Sequence, residues 1–404
     1  MRFTNSLWAQ HLGWTFKRHW LVQGKRIPRD TGAAAELEKC GKLVKSFDLV
    51  ESQKKSIQHE RLHAFEKEKD THDRLQATPG YLFGNNNVLV EGLPQALLLT
   101  KTIEISDLPE SLQQSVNNIQ FTALQERGIK MAILGSNVFS ADQAKLPKKR
   151  SHLRPEYNLP REYSIPKERK ITLLLNKLLT ECEKYAGPNI TSQRRLVNNV
   201  NFNVTVLKNE TLLQFGIDAQ KMITSSRPIK PIKGKYDGEL PDLHPLKCTI
   251  SLPKHSIYAN ETSYPFSTNL GCSHPHTIFL QFDNEKVKNI HDVEVTNSQF
   301  QSRNMLKAFS VAAARARQLY GNTAVDFSNP IVVQSIQTDG RTFHFGVFQL
   351  NTLRLDDSEG VKNYWFNTCN QDLFHTCQYV TGKPVLEDFN RDVLRYLYAF
   401  YCNS

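Results

Sequence analysis

Cys272-Ser273-His274-Pro275-His276 sets one thiol and two imidazoles within five residues, and Cys248 lies upstream as a fourth donor. These are ligand types that zinc takes, but zinc needs four of them converging in a tetrahedron. One Cys-x-His-x-His triplet beside a proline is poor grounds for that geometry; a proline-rich turn entering a strand is the preferred expectation. His344 stands between Phe343 and Phe345. An imidazole acts as a general base only beside a partner in an open cleft, so this one is expected to be a hydrogen-bonded histidine on a crowded strand face. Asp356, Asp357 and Glu359 precede Gly360. Such oxygens suit a hard cation, yet a solvated turn is simpler. The chain has no GxxxxGK[ST] or HExxH sequence and no serine nucleophile elbow. No catalytic, cofactor or metal residue is therefore assigned.

Phosphate chemistry has better candidates. Residues 145–170 hold nine basic residues against three acidic ones, broken by Pro147, Pro155, Pro160 and Pro166. Prolines at this density prevent a long helix, so an extended, irregular connector is expected. Lys148, Lys149, Arg150, Arg154, Arg161, Lys167, Arg169 and Lys170 on such a strand can follow RNA and neutralise phosphates, releasing counterions. Tyr157 and Tyr163, interleaved among them, can stack on unpaired bases. A solvated linker fits the same composition, and composition leaves the two readings open. Residues 224–245 form a second proline-rich basic loop with Arg227, Lys230, Lys233 and Lys235. Arg303, Lys307, Arg315 and Arg317 either add a basic helix face or pair with acids nearby. The net charge of +11 points to a polyanionic partner, RNA first and anionic lipid second.

The elements that must position these groups follow from periodicity. Thr338-Asp339-Gly340-Arg341 reads as a type I′ hairpin turn. The strand after it has Phe343, Phe345 and Val347 on one face and Phe348 and Leu350 on the other, so it is sandwiched between two layers. Phe202, Val204 and Val206 mark one strand of a second hairpin, turned by Lys208-Asn209-Glu210. Residues 277–282 read as a strand. Helices are expected after Pro94, over 106–118, over 171–185 on the period of Leu174, Leu175, Leu178 and Leu179, and over 386–401. A further helix opens on a Ser298/Gln301 capping box, buries Met305, Phe309, Ala312, Ala316 and Leu319, and ends at Gly321. Strands and helices mix without a βαβ repeat. The fold class is α+β: a mixed sheet with a central hairpin (331–350) packed by helices, plus extended basic loops and a charged N-terminal helical segment.

Residues 1–30 carry six basic residues and one acid, Asp30, with Trp8, Leu12, Phe16 and Trp20 four apart. Basic, acid-poor and amphipathic describes a mitochondrial transit peptide, with cleavage placed near residues 29–35; a basic N-terminal arm that stays on the mature protein fits the same composition. Residues 31–80 form a charged N-terminal extension, in which 36–76 read as a solvated helix or one that leans on a partner, stopped by Thr78-Pro79-Gly80. A core over 81–404, interrupted by the connector at 145–170, completes the domain plan. Seven cysteines without CxxC spacing suit a reducing compartment. No run of eighteen apolar residues occurs, so no membrane insertion is expected.

Residues 331–363, with VVQS, TDGR, FHF, VFQLNT and EGVKN, carry a resemblance that extends to RARQLYGN at 315–322, EGLPQALLLTKT at 91–102 and PHTIFLQF at 275–282. In these patches the chain resembles the mitochondrial ribosomal protein family that holds large-subunit protein thirty-seven. The family's paralogue is numbered thirty in the old small-subunit series, though it too belongs to the large subunit. The resemblance implies a non-enzymatic structural component of the mitochondrial large ribosomal subunit, in the matrix. Its implied partners are mitochondrial rRNA and other large-subunit proteins, including the paralogue. It tips the basic segment toward RNA. The competing classes are a matrix enzyme holding a phosphate-rich ligand in its basic loops, and an RNA-binding protein working off the ribosome.

Overall fold

The computed structural model describes residues 32–42, 78–138, 144–145 and 163–404, except 235, 260, 285, 288, 290–292, 357 and 381–382. The chain divides into two units, Met1–Leu75 and Gln76–Ser404. In the first, α1 (Ala33–Lys39) is the described element. The leader expected over 1–30 and most of the charged helix expected over 36–76 lie outside the described residues.

The second unit opens with β1 (Thr78–Phe83), so the Thr-Pro-Gly expected to stop a helix starts a strand instead. An Asn85-Asn86-Asn87 loop leads to α2 (Leu93–Thr100), with Pro94 in its first turn, where a missing N–H costs nothing. Then come β2 (Thr102–Ser106), α3 (Glu110–Asn118) and α4 (Ala123–Asn137). Two-residue strands β3 (Ala144–Lys145) and β4 (Tyr163–Ser164) pair with each other. α5 (Lys167–Ala186) and the single turn α6 (Pro188–Thr191) precede the long hairpin of β5 (Arg194–Lys208) and β6 (Thr211–Ser225). β7 (Lys254–Ile257), β8 (His274–Gln281) and α7 (Asn297–Tyr320) follow. β9 (Asp326–Thr338) and β10 (Thr342–Thr352) form the central hairpin. The chain closes with β11 (Asn363–Asn367), β12 (Gln371–Asp372), the small hairpin β13 (Thr376–Val380) and β14 (Lys383–Glu387), and α8 (Asp392–Cys402).

Ten strands make one mixed sheet with a main path β2-β11-β10-β9-β8-β6-β1-β7, while β5 pairs with β6 and β12 with β10. The pairs β1/β6, β8/β9 and β2/β11 are parallel, and the rest of the sheet is antiparallel. Helices cover both faces. On one, α2 and α7 pack on Phe215, Val333, Phe348, Leu350 and Trp365. On the other, α3, α5 and α8 pack on Ile223, Phe279, Phe343, Phe345 and Val347. The doubly apolar strand expected at 343–350 is therefore the middle layer of three, which is why both of its faces are hydrophobic.

α7 is buried on every side from Ser302 to Ala316. Alanines at 308, 312, 313, 314 and 316 keep its surface low enough for a close approach to the sheet. Gly346 makes a comparable fit possible in β10, since a Cβ there would stand 2.0 Å from a Trp365 ring carbon. Asn363 knits three elements together: its Oδ1 accepts from the amides of Asn351 and Thr352, and its Nδ2 donates to the carbonyls of Thr100 and Thr352.

Several local expectations need correction. The β9–β10 loop has three residues, and Gly340 is its left-handed one (φ 95). Asp339 Oδ1 accepts the amides of Arg341 and Thr342 instead of sharing a type I′ geometry. The type I′ signature falls at Asn209-Glu210, where both φ values are positive. The capping box of α7 is Thr296 with Gln299, two residues upstream of the expected pair; Ser298 Oγ instead accepts the Leu93 amide at 2.9 Å. Leu319 is exposed. α8 begins at Asp392, and Leu386 belongs to β14. Neither β2 nor α4 was anticipated, although Thr122 and Gln125 form a reciprocal cap at the start of α4. No helix among the described residues is long and apolar enough to cross a membrane.

Candidate nucleic-acid interface

Of the ten residues singled out for RNA contact, Lys148, Lys149, Arg150, Arg154, Tyr157 and Arg161 lie outside the described residues. Tyr163 is in β4, its backbone opposite Lys145. Lys167, Arg169 and Lys170 are not in an irregular connector. Pro166 is the N-cap of α5, and these three residues form its first turn. Proline is tolerated at a helix start because no intrahelical partner is needed there, so the helix begins four residues before the expected Ile171.

Three cations in a first turn oppose the helix dipole, whose N-terminal end is positive. The acid in that turn is Glu168, paired with Lys286 at 2.7 Å. Both partners are about 60% exposed, so the pair adds little stability. Lys167 donates from Nζ to Asn284 Oδ1 at 2.7 Å. Positive charge is thus gathered at the end of the helix where the dipole does not favour it.

The second basic loop is held rigidly. Ile229 is buried, and the Ile232 amide donates to Gln349 Oε1 of β10 at 2.7 Å. Lys230 and Lys233, flanking these anchors, are exposed. The loop presents them on a backbone tied to the central hairpin.

The basic face expected on α7 is not on the surface. Arg303, Lys307 and Arg315 are all buried. Arg303 donates to the carbonyls of Asn87 and Asn85, and Lys307 to Asn85 Oδ1. Arg315 donates to Ser273 Oγ and lies over the Tyr264 ring. Arg317 caps the end of α7 by donating to the Asn322 and Ala324 carbonyls. Burial lowers the pKa of Arg303 to about 10 and that of Lys307 well below its ordinary range. The signal that could have shown this is the helix itself: a segment with so many alanines and so few charges is buried all round, and its cations go inside with it.

The metal-like cluster does not converge. In the β6–β8 ladder Ile223 faces Thr277 and Thr224 faces Pro275, so His276 is the extra residue of a bulge. His274 lies toward Arg315 of α7. His276 bonds the Asn403 carbonyl just past α8 and Thr277 Oγ1, each at 2.8 Å. Cys272 reaches toward the Gln193 carbonyl, and Cys248 packs against the α7-side core. Among the described residues no group of three or more His, Cys, Asp or Glu is placed to hold a metal. His344 Nδ1 accepts from Asn304 Nδ2 at 2.8 Å inside the core, and burial pushes its pKa down to about 3. It is neutral and sealed from solvent, without the open cleft a general base needs. Asp356 Oδ1 accepts the Asn209 amide, anchoring its loop to the β5–β6 turn.

Similarity to known proteins points to a ribosomal family. Residues 262–404 match the family model described as Mitochondrial 28S ribosomal protein S30 (PDCD9). The chain is 30% identical over 342 residues to large ribosomal subunit protein mL37 of Rattus norvegicus, covering 81% of this chain and 75% of that protein. The Mus musculus protein of the same name gives the same identity and coverage. That of Bos taurus is 29% identical over 340 residues, covering 80% and 75%. The family description names a small-subunit protein and the relatives a large-subunit one. The large-subunit name rests on alignments spanning most of both chains, the small-subunit description on the C-terminal third.

Proposed function

The chain belongs to the family of large ribosomal subunit protein mL37, and from that premise we propose that it is a structural component of the mitochondrial large ribosomal subunit, placed in the matrix. It is a ribosomal protein and not an enzyme, as the names of its relatives imply. The three-layered core is a rigid body, and the basic segment 145–170 with the loop around Lys230 and Lys233 contacts mitochondrial rRNA. Neighbouring large-subunit proteins, the paralogous family member among them, cover other faces. The observation that carries the RNA reading is the first turn of α5, where Lys167, Arg169 and Lys170 gather against the helix dipole. Residues 1–30 act as the transit peptide.

The test is sedimentation of mitochondrial lysate from cells carrying the tagged chain. Co-migration with the large subunit is expected. Replacing the basic residues of 148–170 by Gln is expected to weaken incorporation, more so at raised salt. A chain that stays in the slow fractions as a free species overturns the ribosomal reading; incorporation untouched by the Gln replacements makes the segment a linker.

A further inference from the structure

Arg303 and Lys307 stand one turn apart on α7, each about 1% exposed. Their hydrogen-bond acceptors are neutral: the Asn85 and Asn87 carbonyls and the Asn85 amide oxygen. Among the described residues neither cation has a carboxylate within salt-bridge distance. Arg303 Nε is buried with no partner at all. Burial with neutral acceptors disfavours the charged form of both groups, and the Asp218 carboxylate partly offsets this at Lys307.

Arg303 lines a pocket of about 360 Å³, the size of a small-molecule site. Its walls are chemically mixed. Asn85, Asn86, Gln220 and Gln281 contribute amides, each able to donate and to accept. Glu168, Asp218 and Asp283 share the lining with Lys286 and Arg303, and Asp218 is near enough to act on Lys307, so the charges nearly cancel. Ile171 and Val287 supply apolar surface. A free anion meets three carboxylates here, and a free cation meets Arg303 and Lys286. A flat, neutral ligand with donors and acceptors on its edge meets neither obstacle.

The pocket adjoins the basic first turn of α5. Glu168 and Ile171 of that helix start line it, and Lys167 bonds Asn284, next to the lining Asp283. RNA held at this first turn therefore lies beside the mouth. We propose that this pocket receives one unstacked RNA nucleotide, base inward, with an exocyclic amino group of adenine, guanine or cytosine donating to Asp218. The inference rests on the RNA reading above for how the nucleotide arrives, though not for the pocket's own selectivity. Asp218 has capacity for this: Oδ1 accepts from Asn201 at 2.6 Å, and a carboxylate offers further lone pairs. Uracil has no amino group to offer.

The experiment is calorimetric titration of the full chain with AMP, GMP, CMP and UMP. The three amino-bearing nucleotides are expected to bind about tenfold more tightly than UMP. Asp218→Asn, at an exposed position, should keep the circular dichroism spectrum and lose the preference. Four equal affinities, or a preference intact in Asp218→Asn, overturns the pocket assignment. A parallel titration with a twelve-nucleotide single-stranded RNA separates the two ideas. Mononucleotide selectivity without oligonucleotide binding leaves the pocket and removes the RNA path. Oligonucleotide binding without mononucleotide selectivity does the reverse.

Discussion

His276 and His344 show how much a single buried side chain contributes to the conditions the protein tolerates. Desolvation pushes both imidazoles down to about 3; for His276 the nearby Arg194 charge adds to the effect. Unfolding returns each to about 6.5. Between these values the unfolded chain binds protons that the folded chain refuses. The contribution of the two neutral rings is therefore whole above about pH 6.5 and declines as pH falls toward 3. At pH 5 each histidine should lower stability by about 2 kcal/mol relative to neutral pH. Urea denaturation of His344→Gln at pH 7 and pH 5 checks this: the variant should lose about half of the pH difference that the two rings cause in the wild type. An unchanged difference would show that His344 does not resist protonation. The residue sequence FHF already indicated a crowded histidine. Its partner Asn304, forty positions away on α7, was not readable, because local spacing says nothing about which helix covers which strand.

Among the elements, α5 links the basic segment to the core. Its buried stripe (Leu174, Leu175, Leu178, Leu179 and Cys182) packs on the sheet face that carries Phe343 and Phe345. Its first turn gathers three cations at the positive end of the helix dipole. Replacing Lys167, Arg169 and Lys170 together by Gln should leave the unfolding free energy within about 0.5 kcal/mol of the wild type, or raise it slightly. The same variant should bind single-stranded RNA more weakly and with a shallower salt dependence, by about 0.7 in log–log slope for each phosphate that is no longer neutralised. Anisotropy titrations between 50 and 200 mM salt (about the range over which such slopes are resolved) measure it; identical slopes would remove these residues from the interface. The amphipathic stripe of α5 was plain in the residues. The early start was hidden by four prolines, which mark where a helix cannot run through but not which of them opens one.

At the scale of the molecule, the ten-stranded sheet and both its helical layers belong to the unit Gln76–Ser404. That unit has its own hydrophobic core on each face. A chain beginning at Gln76 should therefore unfold in one cooperative transition with the full strand signal, as followed by circular dichroism against urea. A broad, non-cooperative transition would mean that the preceding residues are needed for folding. Ribosomal attachment is a separate matter of surface, and the same shortened chain allows it to be tested without residues 1–75.

The alternation around residues 343–350 was enough to require a strand covered on both sides, since a strand with phenyl groups on each face has nowhere to put them but between two layers. Composition was likewise enough to single out the cationic stretch at 145–170. Which way the cations of α7 point was settled by folding. Arg303, Lys307 and Arg315 have the composition of a surface and the position of a core, because α7 is buried all round from Ser302 to Ala316 and leaves no solvent side there. The pocket beside Arg303 has the same origin: its walls come from the asparagine loop, β6, β8 and α5, segments separated by up to about two hundred residues and brought together by strand order. Periodicity reports the environment of one segment, whereas a site made of several depends on pairings between distant strands that no local pattern encodes.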